Sequence, residues 1–247
     1  MMLVNKQLNR GRMLKLLDEL ENAPGTAVSL YIPSRLPLPK VEKMLITTPG
    51  TQAAFKDVVG EIAKSNTGVV LFWGEYAKYL VVPPFPVEES PIFQGYEVGP
   101  LRSLLRQDFI IALILVRLGA YAIGVFQGEK LISSKVGTGL VHARHKKGGS
   151  SQHRFERHRD KQIEIFFGNV CIRMQEQLGT YSERIDYVFY GGERTTVGTF
   201  KKQCRYSKKL EEQTVEMLLA IRKPKQASLE EAISDAWSSR VTQWHDG

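Results

Sequence analysis

The chain has 247 residues, 43% of them hydrophobic, with a formal net charge of +8 and a sequence pI near 9.4. This size allows one large domain or two small ones, and the basic pI favours an anionic partner, either nucleic acid or an acidic membrane surface. Only two cysteines occur, Cys171 and Cys204, in no metal-ligand spacing, so we expect neither a disulfide framework nor a zinc site, which fits a reducing cytoplasm.

The N-terminal third alternates between helical and strand patterns. The apolar run Met1–Val4 is too short for a signal peptide. The later patterns predict an amphipathic helix at 13–20, a buried strand at 27–32, a surface loop in the proline-rich, basic stretch 34–43, a helix at 52–64 and a β-hairpin at 68–82 that turns at Gly74-Glu75.

A cluster of prolines between residues 83 and 91 interrupts these patterns and predicts a domain boundary. We therefore expect an N-terminal α/β region over residues 1–90 and a second domain over residues 91–247. The stretch 91–107 shows no clear periodicity.

From Asp108 onward the pattern is more regular. Apolar runs at 109–116, 120–126 and 130–136 predict an antiparallel meander, and apolar residues between 163 and 178 predict one face of a long helix. A strand at 185–190, a helix at 195–205, a strand at 215–221 and a helix at 229–237 complete the order β-β-β-α-β-α-β-α. This order is typical of an RNase H-like mixed sheet flanked by helices, so the expected fold class is α/β.

No membrane span is expected. The one suspect stretch is 109–126, which Arg117 and Gly119 interrupt, and two buried strands explain it better.

The most charged stretch lies between the meander and the long helix. From Val141 to Lys161, seven Lys or Arg stand against two carboxylates, which gives a net +5 of the chain's +8. Gly148, Gly149 and two serines give this loop backbone freedom, and Gln152 lies where the loop meets the helix. The cations expected to contact a polyanion are Arg144, Lys146, Lys147, Arg154, Arg157 and Lys161. We expect Phe155 to lie on another side of the helix, closer to the core.

Three further chemistries can be weighed from the residues. Gly191-Gly192 before Thr195 either binds an anion at a helix start or is simply a turn. A serine hydrolase at 150–151 would use a neighbouring histidine, but no carboxylate is evident to orient that base. A two-metal nuclease needs clustered carboxylates, and the candidates are scattered: Asp108, Glu129, Glu164 and Asp186. Cys171 is expected to be a small buried hydrophobic residue.

The loop carries a family resemblance. Residues 148–157 read Gly-Gly-Ser-Ser-Gln-His-Arg-Phe-Glu-Arg and resemble the Gly-Gly-Gln loop and Arg-Phe-x-Arg helix start of archaeal and eukaryotic class-1 peptide-chain release factors. Here a serine directly follows the glycines and glutamine comes two positions later. That shifted Gly-x-x-Gln form resembles the release-factor-like domain of the VMS/ANKZF-type (VLRF) family of ribosome-associated quality control. The sequence contains no zinc finger or ankyrin repeat, so the resemblance implies a minimal, prokaryote-type version.

The resemblance implies a release-factor middle-domain-like core whose substrate is peptidyl-tRNA on the ribosome, particularly on a stalled large subunit. Gln152 would orient a water or the terminal ribose hydroxyl at the 3′-CCA end, and Gly148 and Gly149 would let the loop enter a narrow active centre. The cations would hold acceptor-stem or ribosomal RNA phosphates, and no cofactor or metal is implied. The scissile bond is either the peptidyl ester or a nearby phosphodiester. A non-catalytic ribosome- or RNA-binding module and a metal-dependent nuclease are the alternatives.

Overall fold

The computed structural model describes residues 2–89, 91–142 and 152–245. The chain forms two compact units, one of Met1–Gln107 with Ser234–Gly247 and the other of Asp108–Ile233. The boundary expected at residues 83–91 therefore lies inside the first unit. The reason is that residues after the prolines still pair with the first unit's sheet, as Ile92–Gln94 does with strand Ala27–Ile32.

Regular structure covers most of the described residues. Within them the strands are β1 (Met2–Leu8), β2 (Ala27–Ile32), β3 (Val69–Gly74), β4 (Lys78–Val82), β5 (Ile92–Gln94), β6 (Ile110–Arg117), β7 (Ala120–Gln127), β8 (Lys130–Thr138), β9 (Tyr187–Gly192), β10 (Thr214–Leu219) and β11 (Ser239–His245). The α-helices are α1 (Arg10–Glu21), α2 (Leu38–Thr47), α3 (Phe55–Ile62), α4 (Gly99–Arg106), α5 (Gln152–Gly179), α6 (Arg194–Gln203), α7 (Arg205–Lys209) and α8 (Gln226–Ala236). A 3₁₀ helix, Thr51–Ala54, precedes α3.

The first unit is an antiparallel sheet in the order β1-β11-β4-β3-β2-β5. Helices α1 and α4 cover one face through residues such as Leu17 and Leu105, which cluster with Phe72 of β3. Helices α2 and α3 cover the other face, where Val41 and Val58 pack near Trp73. Because both faces are covered, the central strand β3 is buried along its whole length.

Helix α2 corrects the surface loop expected at residues 34–43. Its capping residue is Pro37, and Pro39 lies in its first turn, where the missing backbone N–H costs little because that group has no intrahelical acceptor. Val41 and Leu45, one turn apart, are both fully buried. The prolines thus mark the start of a helix.

The second unit is a five-stranded mixed sheet in the order β10-β9-β6-β7-β8. Strands β6, β7 and β8 form the antiparallel meander, whereas β9 pairs in parallel with β6 and β10 in parallel with β9. Numbered by their order in this unit, the strands run 5-4-1-2-3 across the sheet. This is the RNase H-like topology, so the predicted α/β fold class is confirmed.

Helices α5, α6 and α7 pack on one face of this sheet. Their core includes Phe167, Val170 and Met174 of α5, as the apolar spacing predicts, together with Phe200 of α6. On the opposite face, Leu229 of α8 lies against Gly124 of β7, where an added Cβ would be within 3.2 Å of its methyl groups. The apolar stretch 109–126 forms β6 and β7, as expected. Among the described residues no helix is long and apolar enough to cross a membrane.

The two cysteines correct the expectation that no disulfide forms. Cys171 of α5 and Cys204, between α6 and α7, are joined by a disulfide with a Cα–Cα distance of 5.4 Å and a sequence separation of 33. Cys204 is buried, while Cys171 is only half-buried and not fully buried as expected. The bond follows from helix packing on the sheet, because Phe167 and Phe200 bring α5 and α6 together. Cysteine count and spacing carry no information about such packing.

Reducing this disulfide should lower the free energy of unfolding by about 4 kcal/mol, because opening a loop of this length restores entropy to the unfolded chain. Urea unfolding with and without dithiothreitol measures the loss. The Cys171→Ser/Cys204→Ser variant serves as the control, since it should match the reduced protein and not respond to the reductant. Equal midpoints for oxidised and reduced wild type would contradict this expectation.

Candidate functional site

The site predicted from the sequence surrounds the start of α5. The segment 143–151 lies outside the described residues, and with it Arg144, Lys146, Lys147, Gly148 and Gly149. The structure does not describe the side chain of Gln152, but α5 begins at this residue. The glutamine therefore stands where the loop meets the helix, as the sequence predicts.

The first three turns of α5 extend beyond the sheet. Gly139, directly after β8, lies against the ring of Phe166, since a Cβ added there would be 2.6 Å from it. Phe166 and Phe167 are buried, whereas no residue of the described stretch 154–165 is. At 1.5 Å per residue, the part of α5 that precedes Ile163, which packs against the core, is roughly 16 Å long. A helix end of this length can reach into a narrow site on a larger partner.

The cationic residues predicted on this helix are exposed in the structure. Arg154, Arg157 and Lys161 follow each other at intervals of three and four, which is the spacing of neighbours on one side of a helix. Phe155 corrects the expectation that it lies near the core, because 59% of its surface is exposed. The reason is that Phe155 stands three turns before Phe166, the first described residue of α5 that is buried.

His142, directly before the loop, is held against α5 by contacts that the sequence patterns did not predict. The N–H of His142 donates to Gln162 Oε1 at 3.1 Å, and Arg159 Nε–H donates to the carbonyl of His142 at 3.0 Å. The His142 and His158 rings stack with centroids 6.4 Å apart. His142, the last described residue before segment 143–151, thus lies beside Arg159 of α5, and α5 begins at Gln152, about 10 Å away along the helix axis. In the sequence, the signal for these contacts was the three-residue spacing of Arg159 and Gln162, which places both side chains on one side of the helix.

Backbone geometry explains the glycine at the second position of the turn Gly191-Gly192. Gly192 has φ +138°, and an added Cβ would overlap the carbonyl oxygen of Val116 on β6. At the start of α6, Thr196 Oγ1 donates to the carboxylate of Glu193 at 3.3 Å. A carboxylate at this helix start opposes a bound anion there, so the geometry favours the turn interpretation.

Two of the four carboxylates considered for a two-metal site are used in strand contacts. Asp186 Oδ2 accepts from the N–H of Ile110 at 2.7 Å, and Asp108 Oδ2 accepts from Gln127 Nε2 at 2.6 Å. Within residues 2–89, 91–142 and 154–245, no three His, Cys, Asp or Glu side chains are grouped so as to hold a metal ion.

Comparison with known proteins locates this chain among translation factors. A family model described as "Actinobacteria/chloroflexi VLRF1 release factor" matches residues 110–242. Peptide chain release factor subunit 1 of Thermococcus sibiricus is 27% identical over 197 residues, which cover 67% of this chain and 48% of the relative. The factor of the same name from Aeropyrum pernix is 27% identical over 194 residues, which cover 66% and 51%.

Among solved structures, the archaeal translation termination factor aRF1 aligns with a TM-score of 0.43 and 21% identity. This alignment covers 93% of this chain and 70% of that one. The chain spans about half the length of the curated relatives it matches, with shares of 48% and 51%.

Proposed function

The chain belongs to the Actinobacteria/chloroflexi VLRF1 release factor family, and we propose on this premise that it hydrolyses peptidyl-tRNA at the 3′-CCA end. The proposed setting is a stalled ribosome or a free large subunit in the cytoplasm, as part of translation quality control. The observation that carries the proposal is the position of Gln152 at the start of a helix that extends past its sheet, directly after a Gly-Gly-Ser-Ser loop.

The proposed reaction is hydrolysis of the ester between peptide and tRNA. The oxygen of a water attacks the ester carbonyl carbon, the bond from that carbon to the ribose oxygen breaks, and that oxygen gains a proton. A glutamine amide has no pKa suited to a general base, so Gln152 acts by orienting the water or the terminal ribose hydroxyl. A backbone N–H beside it can face the developing oxyanion.

The exposed cations supply affinity without reading sequence. We assign phosphate contacts to Arg154, Arg157 and Lys161 of α5, and to the loop residues Arg144, Lys146 and Lys147. Hydrogen bonds from His142 to Gln162 and from Arg159 to His142 support this assignment, because they hold the residue directly before the loop against α5. Gly148 and Gly149 leave the loop narrow enough to approach a crowded reaction centre.

Reversing the charge of the α5 cations should weaken RNA binding much more than folding. We expect the Arg154→Glu/Arg157→Glu variant to bind tRNA or large subunits at least about tenfold less tightly at 0.1 M salt, because phosphate contacts are lost. Its thermal midpoint should change little, since exposed charges contribute little to stability. The Arg12→Glu/Arg35→Glu variant is the control, because it alters net charge equally at exposed sites of the first unit. Wild-type affinity that does not vary between low and moderate salt would refute the polyanion contact.

Turnover of peptidyl-tRNA on large subunits, with and without a chelator, tests the proposal itself. We expect release of peptide that the chelator does not inhibit. Binding without any product would indicate a non-catalytic ribosome-binding module. Cleavage that the chelator abolishes would indicate a metal-dependent nuclease. Each of these two results would overturn the proposed reaction.

A further inference from the structure

The segment that connects β9 to β10 contains six cations, and its three glutamates, Glu193, Glu211 and Glu212, stand at its two ends. Between residues 194 and 209 there is no Asp or Glu, and the cations are Arg194, Lys201, Lys202, Arg205, Lys208 and Lys209. Lys201 is half-buried and the other five are exposed. Protein surfaces usually mix both signs of charge, so a run of one sign on two helices is unusual. We call these six residues the α6–α7 surface.

The net positive charge of the protein is confined to this surface and the loop region. The α6–α7 surface carries +6 and residues 141–161 carry +5, whereas the whole chain carries +8. The three glutamates that flank the α6–α7 surface, Glu193, Glu211 and Glu212, account for the difference, and the other residues together carry no net charge. Both cationic segments belong to the second unit, and α5, α6 and α7 cover the same face of its sheet. An extended polyanion would meet this face in preference to the rest of the protein.

The backbone under the α6–α7 surface is held in place by the core. Phe200 of α6 packs on Phe167 with ring centroids 5.7 Å apart, and the disulfide from Cys204 fixes the junction of α6 and α7 to α5. The Lys201 ammonium lies 5.1 Å from the centroid of the Tyr190 ring. Burial raises the pKa of Tyr190 to about 12, so this ring stays neutral. Cations on a fixed backbone lose less entropy when they bind.

No carboxylate compensates these charges within the described part of the chain. Over residues 2–89, 91–142 and 154–245, none lies within the 4.0 Å of an ion pair to any of the six. Elsewhere exposed cations do find partners: Arg173 pairs with Glu176 at 2.8 Å and Arg240 with Glu61 at 3.0 Å. These six charges are therefore free to bind an anion without first breaking an ion pair.

The side chains also indicate which part of a nucleic acid is bound. The aromatic residues of this segment, Phe200 and Tyr206, are 0% and 8% exposed, so they offer no platform on which unpaired bases can stack. Lysine ammonium groups bind phosphates as point charges and do not distinguish bases. We propose that the α6–α7 surface binds the phosphate backbone of double-stranded RNA, as a second contact besides the loop and the start of α5. This inference rests on the proposed function, for which it names the element that docks the protein.

Two triple variants with equal loss of charge test the surface. Lys202→Ala/Lys208→Ala/Lys209→Ala removes three exposed cations from it, and Lys40→Ala/Lys43→Ala/Lys56→Ala removes three exposed lysines from the first unit. Binding of a 20-base-pair RNA duplex is measured over a range of salt. We expect the first triple to weaken binding by about tenfold or more and to lower the salt-dependence slope by about 2–3, because each lost phosphate contact removes about one unit. The control triple should behave as wild type.

The same assay separates this inference from the proposed function. Equal duplex affinity and slope in both triples would overturn the α6–α7 contact. If the Lys202→Ala/Lys208→Ala/Lys209→Ala variant lost binding to poly-glutamate but not to the duplex, this result would also overturn the contact, in favour of an acidic protein partner. Peptidyl-tRNA hydrolysis by wild type, measured in the same preparation, decides the proposed function independently. Retained hydrolysis together with unchanged duplex binding would remove only the second contact.

Discussion

Replacing Gln152 with alanine should slow peptidyl-tRNA hydrolysis by about 10²–10³-fold, or roughly 3–4 kcal/mol, as expected when one polar contact to a transition state is lost. Binding to large subunits should be retained, because the phosphate contacts come from neighbouring residues. Single-turnover rates at saturating enzyme measure the loss without interference from affinity. Gln175→Ala is the matched control, since it removes an exposed amide further along the same helix. A fully active Gln152→Ala variant would show that the site is misassigned.

The glutamate variant tells how Gln152 acts. If residue 152 acts as a general base, a carboxylate there should work at least as well as the amide. If the amide orients a reactant, its replacement by glutamate removes the N–H donors and brings a negative charge towards RNA. We therefore expect Gln152→Glu to be as slow as Gln152→Ala across the pH range. Wild-type rates with a new acidic pKa in the pH profile would show that the residue takes a proton.

Replacing Gly149 with valine should abolish hydrolysis while the fold and RNA affinity are largely kept. A β-branched residue restricts the backbone and adds bulk where we propose that the loop enters a confined centre. Circular dichroism and duplex binding check that the loss is confined to turnover.

Gly168→Val is the matched control for this variant. It introduces the same side chain on α5, and a Cβ at Gly168 has no neighbour within 4 Å. This control should hydrolyse peptidyl-tRNA at the wild-type rate. Full activity in Gly149→Val would mean that the loop does not enter a constricted site.

Local patterns were sufficient to predict much of the second unit. The apolar residues of α5 recur with the helical period, and Phe166, Phe167, Val170, Met174 and Leu178 do form its buried face. The turns at Gly119 and Gly128 have positive φ, as tight strand connections require, so the meander could be predicted from its glycines. The order of these elements then indicated the RNase H-like topology.

Features that depend on distant contacts could not be predicted in this way. Strands β1 and β11 pair Met2 with His245, and neither carries a strong apolar alternation that would identify it locally. The same limit applies to the disulfide and to the domain boundary, because both depend on packing between separate parts of the chain. Arg159 and Gln162 belonged to a helix that was predicted, but their contact with His142 requires the end of β8 to lie beside α5.

The products of a single turnover test the central claim most directly. Peptidyl-tRNA on isolated large subunits is treated with wild-type protein, and the 3′ end of the tRNA and the C-terminus of the peptide are both identified. Ester hydrolysis predicts a peptide with a free carboxylate and a tRNA that keeps its complete CCA end with a 3′-hydroxyl. A shortened tRNA, with nucleotides still attached to the peptide, would contradict it.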